Sequence, residues 1–202
     1  MIKVVLFDFG GVLTEGGKKG FIQSTIAHMV GLPPEEVDIG DLHYMMRRGR
    51  GTDEQFFGEI NQRYNVHLTK DQFIASTHDL SERAEPVYAL AERLRAAGIR
   101  TGILSNVFSM SARDLEKRGF YDGFDPIILS CDEGHAKPDP ELYQIAIDKS
   151  GCAADEILFV DDQDKCLPPA HAFGMLTVQS QSPEQVVRDV TKVIREQNNI
   201  DI

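Results

Sequence analysis

Basic residues are in deficit in this chain: 21 Lys and Arg stand against 32 Asp and Glu among 202 residues, a formal net charge of −11. Nucleic-acid backbones are bound through clustered cations, so the balance speaks against a nucleic-acid surface, and equally against an anionic membrane. A compact anionic substrate stays open, because a few local cations and a metal suffice to receive it. Long hydrophobic runs are also missing. The apolar opening from Ile2 to Phe7 is too short for a signal-peptide core or a bilayer span, and no other stretch is long enough. Cysteine is scarce and odd in number: Cys131, Cys152 and Cys166 fit neither a zinc pattern nor a disulfide framework, and reduced thiols in a cytoplasm are expected. Internal repeats and low-complexity tracts are absent.

What is present is an alternation of short apolar runs with helical patterns. Lys3–Phe7, Thr101–Leu104, Ile127–Leu129, Ile157–Val160 and Leu176–Val178 read as strands, near-continuous rather than alternating, as in a parallel sheet covered on both faces. Pro86–Ala97 carries Val87, Leu90, Ala91 and Leu94 at helical spacing before Gly98. Asp139–Pro140 opens another helix that closes at Gly151, and Ser182–Pro183–Glu184–Gln185 reads as a capping box for the last. The expected fold is a doubly wound α/β domain with a parallel five-stranded sheet.

The stretch from Thr14 to Glu85 is far longer than a strand-to-helix connection needs. It reads as helices over Phe21–Val30, Glu35–Met46, Thr52–Tyr64 and Lys70–Leu80, the third opened by a Thr52–Gln55 capping box. The expected organisation is a core of residues 1–14 and 84–202 with a small helical cap, 15–83, inserted after the first strand and entered through a flexible run at Glu15–Gly20.

Ligands of open α/β sheets bind beyond the carboxyl ends of the strands. Asp8 follows the first strand, Ser105 and Asn106 the second, and Asp161 and Asp162 the fourth, while Lys137 lies shortly after the third. Three carboxylates on one rim repel one another unless a cation sits among them. Hard oxygen ligands in small number, with room for water and phosphate, suit Mg²⁺. With the metal neutralising charge, an aspartate such as Asp8 can attack phosphorus and form an aspartyl-phosphate. Lys137 would hold nucleophile and phosphoryl in register, and Ser105, Asn106 and backbone N–H groups would bind the equatorial oxygens.

In this order the pieces resemble the haloacid dehalogenase superfamily, specifically its phosphatase branch with a helical cap after strand one. FDFGGVL at 7–13, LSN at 104–106, KPDPELY at 137–143 and FVDD at 159–162 match the family's four motifs in register along essentially the whole chain. Bacterial sugar-1-phosphate phosphatases and the phosphatase domain of epoxide hydrolases are among the relatives it resembles. The resemblance implies Asp8 as nucleophile and metal ligand, and the Gly10 carbonyl as a second ligand. Asp161 and Asp162 would complete the metal site, Asp162 in direct contact, with Ser105, Asn106 and Lys137 on the phosphoryl group. It implies a Mg²⁺-dependent phosphatase of small phosphorylated metabolites, monomeric or homodimeric.

The chain departs from that pattern at Gly10, where the family's phosphatases normally carry a second aspartate that protonates the leaving group. Some sugar-1-phosphate phosphatases resemble this chain in having Gly there. Losing a general acid–base costs a factor of about 100 to 10,000, least for leaving groups that need little protonation. A preference for glycosyl, acyl or aryl phosphates is therefore expected, with Glu15, His135 or a cap residue as candidate substitute acids. Cys166 stands where the family often has Asn or Asp, and is read as packing. Pro168 and Pro169 imply a late start for the helix that follows. Two other functions compete. A 2-haloacid dehalogenase would also lack the aspartate at Gly10, but has no need of paired acids at Asp161 and Asp162. A non-catalytic phosphate-ligand binder is suggested by Gly10 and opposed by Asp8. Arg47, Arg48 and Arg50 are each read as part of an exposed interhelix turn, with delivery of an arginine to substrate as the alternative. GGKKG at 16–20 lacks the spacing of a phosphate loop and is read as a hinge. His28, His43, His67, His78 and His171 form no metal-like cluster and receive no role.

Overall fold

Residues 1–14, 20–78 and 82–202 are described by the computed structural model. Strands β1 (Val4–Phe7), β2 (Arg100–Ser105), β3 (Ile127–Leu129), β4 (Ile157–Asp161) and β5 (Leu176–Gln179) form one sheet. It is wholly parallel, in the order β3-β2-β1-β4-β5. β1 sits in the centre, pairing Val4 with Arg100 on one side and with Ile157 on the other. All four of its side chains are buried, because alternate residues feed opposite layers.

The helices follow from that burial. They are α1 (Phe21–Val30), α2 (Gly40–Met46), α3 (Asp53–Tyr64), α4 (Lys70–His78), α5 (Glu85–Ala96), α6 (Ser109–Lys117), α7 (Ser130–Glu133), α8 (Pro140–Ser150), α9 (Leu167–Ala172) and α10 (Pro183–Asn198). Val5 and Phe7 pack with Leu90 and Leu94 of α5, Ala112 and Leu115 of α6, and Val186, Val190 and Ile194 of α10. Val4 and Leu6 face the other way, onto Leu142, Tyr143 and Ala146 of α8 and Ala170 of α9. The doubly wound α/β fold expected from the apolar runs is borne out. Among the described residues no helix is long and apolar enough to cross a membrane.

Helices α1 to α4 lie between β1 and β2 and build their own apolar cluster around Ile26, Phe56, Ile60 and Phe73. Phe108 and Met110, from the segment after β2, complete that cluster, the Phe108 ring standing 5.5 Å from Phe56. The inserted helices are thus seated on the sheet domain through apolar contact.

One expected helix is broken. Glu35–Met46 is a 3₁₀ turn at Pro34–Glu36, an extended Val37 and then α2 from Gly40. Side chains from elsewhere take up the backbone there: Gln23 donates to the carbonyls of Pro34 and Val37 at 2.8 and 2.7 Å, and the Asp38 N–H donates to the Tyr64 hydroxyl at 2.6 Å. These bonds satisfy groups that a continuous helix would have paired internally. The expected end of the fourth helix, at Leu80, lies outside the described residues. The helices Ser109–Lys117 and Ser130–Glu133 carried no sequence expectation. α9 starts late, with prolines in its first turn, as expected.

Candidate active site

The central strands end at one rim. The Asp8 N–H still donates to the Val160 carbonyl at 2.8 Å, so this residue remains on the sheet ladder while its carboxylate leaves the carboxyl edge of β1. Asp161 closes β4 and Ser105 closes β2. Asp8, Asp161 and Asp162 bring carboxylate oxygens within 4.8 Å of one another, the first two buried and the third half-buried.

Lys137 joins them from the turn ahead of α8. Its ammonium, almost wholly buried, lies 3.0 Å from Asp8 Oδ1 and 2.5 Å from Asp161 Oδ2, and donates to the Leu104 carbonyl at 2.8 Å. Three donors thus meet three acceptors, which a buried ammonium requires. Burial works to lower its pKa, but Asp161 and Asp8 overcome that and hold it above the usual lysine value. The Phe159 ring, 5.2 Å away, closes one side.

The carboxylates are not evenly served. Asp8 Oδ1 accepts from the Phe9 N–H at 2.7 Å as well as from Lys137, while Oδ2 has no donor among the described residues. Asp161 accepts from the Gln163 N–H at 2.7 Å through Oδ1 and from Lys137 through Oδ2. Asp162 Oδ1 is buried with no hydrogen-bond partner among the described residues. Burial first, and Asp8 second, push the Asp162 carboxyl up to about 6, with Lys137 opposing. Burial also raises Asp161, against the pull of Lys137 and with the push of Asp8. One ammonium among three crowded carboxylates leaves negative charge unbalanced, and one Asp162 oxygen has no donor among the described residues. This donor set fits a hard divalent cation.

Asp8, Gly10, Ser105 and Asn106 lie on the wall of a cavity of about 500 Å³ between the strand ends and the inserted helices, while Lys137, Asp161 and Asp162 are not part of that wall. Ser105 presents a hydroxyl with no partner among the described residues. The Asn106 carboxamide is largely occupied: its Oδ1 accepts from the Lys137 N–H and its Nδ2 donates to the Lys137 carbonyl, both at 2.8 Å. Its first task is therefore to fix the backbone that carries the lysine.

The inserted helices contribute Arg47 and His43 to the wall. The Arg47 guanidinium has no ion-pair or hydrogen-bond partner among the described residues. Burial lowers its pKa, against the attraction of Asp8. His43 packs edge-on against Phe108, and burial, with Arg47 and Lys165 beside it, pulls its pKa down to about 4. Among the described residues, the two wall carboxylates outside the metal cluster are already paired, Asp38 with Arg63 at 2.8 Å and Asp114 with His78 at 2.9 Å.

Of the candidate substitute acids, His135 lies off the cavity wall and faces Glu141 at 4.0 Å. Glu15, and the GGKK of the expected hinge, lie outside the described residues. The reading of Arg48 as exposed is overturned: its guanidinium is buried in an ion pair with Asp139, because the turn packs onto the sheet domain. Two residues near the site received no role in the sequence reading. Gly11 has φ +75°, and a Cβ there would stand 2.9 Å from Asp162 Cγ. The second glycine of the pair after Asp8 was its only signal. His43 is placed on the wall by the packing of α2 alone.

Sheet, rim and carboxylate cluster together define a hydrolase domain of one kind: this chain belongs to the haloacid dehalogenase-like hydrolases, whose family model matches residues 2–174. It is similar to the mouse acyl-CoA dehydrogenase family member 10, 23% identical over 203 residues, or 95% of this chain and 19% of that protein. The chain spans about a fifth or less of the length of the mammalian relatives it matches. D-ribitol-5-phosphate phosphatase of Bacteroides thetaiotaomicron is 24% identical over 210 residues, 96% of this chain and 99% of that one. Among solved structures, a haloacid dehalogenase family enzyme from the same organism, in complex with magnesium and inorganic phosphate, superposes with a TM-score of 0.75. It is 21% identical, over 90% of this chain and 96% of that one.

Proposed function

We propose that this chain is a Mg²⁺-dependent phosphatase that hydrolyses small phosphorylated metabolites through an aspartyl-phosphate on Asp8, with residues 15–83 as a cap over the site. The observation that carries the reading is the buried cluster itself: Asp8, Asp161 and Asp162 within 4.8 Å, with Lys137 bonded to the first two. The phosphatases among its relatives, and the magnesium and phosphate in the similar structure, support it.

Asp8, the Gly10 carbonyl, Asp161 and Asp162 would hold the metal. Bound there, Mg²⁺ supplies the positive charge that lets a carboxylate approach a phosphoryl dianion. Lys137 fixes Asp8 Oδ1 and leaves Oδ2 to attack. The Oδ2–P bond forms as the ester P–O bond breaks, and the electron pair departs on the ester oxygen. Ser105, the remaining Asn106 donor and nearby backbone N–H groups bind the equatorial oxygens. Water then attacks the same phosphorus, returning the Asp8 carboxylate and inorganic phosphate. Arg47, unpaired among the described residues, adds a cation on the side of the incoming anion. The three unpaired cysteines are in keeping with action in a cytoplasm.

Gly10 offers no proton to the leaving oxygen, and the described wall carboxylates Asp38 and Asp114 are held by Arg63 and by His78 and Arg118. Activated esters, such as sugar 1-phosphates, acyl phosphates and aryl phosphates, are therefore the preferred substrates. The test is a panel of aryl, acyl, glycosyl and alkyl phosphates, each with Mg²⁺ and with chelator, beside Asp8→Asn. Metal-dependent phosphate release that disappears in Asp8→Asn is expected. Release that survives chelator, or none from folded protein on any ester, refutes the reading.

A further inference from the structure

The turn that follows α2 divides its three arginines between two tasks. Arg47 lines the cavity. Arg48 turns toward the sheet domain, only 5% exposed, and grips both oxygens of Asp139: Nη2 at 2.8 and 2.6 Å, Nε at 3.1 Å. Its Nη1 donates to the Tyr44 carbonyl at 3.3 Å, and its Cζ lies 3.6 Å from the Tyr44 ring centre. Gly49 comes next, at φ +61°, where a Cβ would stand 2.1 Å from the Cys131 carbonyl oxygen. The backbone of the turn is thus pressed directly on the core. Arg50 then donates to the Gly134 carbonyl at 3.1 Å.

These three consecutive residues touch one stretch of the core, 131–139, and that stretch carries Lys137. Asp139 is the junction. Its N–H donates to the Ala136 carbonyl at 2.8 Å, and its Oδ2 accepts from the Ala136 N–H at 3.2 Å. Those two bonds close a turn with Lys137 inside it. Asn106 holds the lysine's backbone from the β2 side, and Arg48 holds the closing carboxylate from the cap side.

We propose that Arg48 is a positioning residue: through Asp139 it fixes the turn that presents Lys137, so the lysine bridges Asp8 and Asp161 only while the cap is seated. This rests on the reading of Lys137 as a catalytic group. A bidentate guanidinium–carboxylate pair fixes direction as well as distance, which a lysine at position 48 would reproduce only in part. Loss of the pair leaves substrate binding largely intact and degrades the register of nucleophile and phosphoryl, so kcat suffers more than KM.

The experiment compares wild type, Arg48→Met, Asp139→Asn, the double variant and Arg48→Lys. Two measurements are made: steady-state kinetics on the best ester of the panel, and amide hydrogen exchange without ligand. Asn at 139 can still accept from Ala136, so that variant removes the ion pair without opening the turn. Each single variant is expected to lower kcat roughly 10- to 100-fold, with KM changed much less. The double variant should be no worse than the poorer single, and Arg48→Lys should recover part of the loss. Exchange should quicken in 131–139 and at the end of α2 but not in α10. The proposal is overturned by unchanged kcat, by single effects that multiply in the double variant, by a loss confined to KM, or by exchange that loosens throughout. If the wild type turns over no ester, the phosphatase reading fails by itself. Exchange then decides the latch: faster exchange in 131–139 of Arg48→Met upholds it, and unchanged exchange overturns it.

Discussion

Asp8, Gly10 and Gly11 show how three residues within one four-residue stretch divide the work of one site. Asp8 supplies the carboxylate, Gly10 withholds a proton donor, and Gly11 makes room. With φ +75° and a would-be Cβ 2.9 Å from Asp162 Cγ, Gly11→Ala both strains the backbone and displaces Asp162. The expected outcome is a Mg²⁺ requirement raised about 10- to 100-fold, read from a metal titration of phosphate release, as for other changes that shift a metal ligand. An unaltered titration would show that Asp162 does not need its present position. Gly10→Asp tests the opposite property. Turnover of alkyl phosphates should rise relative to aryl phosphates, flattening the dependence of kcat on leaving-group acidity. At this scale the sequence was legible wherever a charged residue ends a buried strand, because burial there has no cheap structural explanation. Asn106 was less so: a side chain whose two hydrogen bonds go to the backbone of residue 137 declares that task only once the chain has folded.

Helices can be legible in outline while their ends depend on what packs beside them. The capping box of α3 is complete, Thr52 Oγ1 accepting from the Gln55 N–H at 3.2 Å and Gln55 Oε1 from the Thr52 N–H at 2.9 Å. Thr52→Ala should cost about 1 kcal/mol, seen as a thermal midpoint lower by roughly 2–4 °C. At α10 only half of the expected box forms. Ser182 accepts from the Gln185 N–H at 3.2 Å, but Gln185 Oε1 accepts from Gln181 and its Nε2 donates to the Gln179 carbonyl. α2 sets up a pH dependence through His43, whose pKa burial depresses to about 4. The unfolded imidazole takes up a proton near pH 6.5, whereas the folded one resists until about pH 4. Above pH 6.5 both states hold it neutral and it costs nothing. Between those two values the unfolded state binds more protons, so stability falls as pH falls. Thermal melts across pH 7 to 4 should show this decline, and His43→Gln should reduce its slope. An identical slope in the variant would exclude His43 as the source.

In a molecule of formal net charge −11, one rim brings three carboxylates together around a single ammonium. A ligand that binds only the folded state stabilises it by mass action, by about 2.7 kcal/mol at a hundredfold excess over its Kd. Mg²⁺ should therefore raise the thermal midpoint by several degrees, chelator should reverse the rise, and Asp162→Asn should diminish it. A midpoint indifferent to Mg²⁺ in the wild type would mean that the carboxylate cluster does not take up the ion in the folded protein.

The sequence by itself determined the strands, their parallel arrangement and the acids and lysine at their ends. Each of these is written in local patterns, an apolar run that must be buried and a polar residue that stops it. Only the tertiary structure decided which faces of those patterns meet. It broke the expected helix at Val37 by lending it the side chains of Gln23 and Tyr64. It also sent Arg47 into the cavity and Arg48 onto Asp139, although the two are neighbours of the same type. The physical reason is that local sequence sets which apolar runs must be buried, whereas long-range packing decides where a side chain such as Arg48 is buried and what it meets.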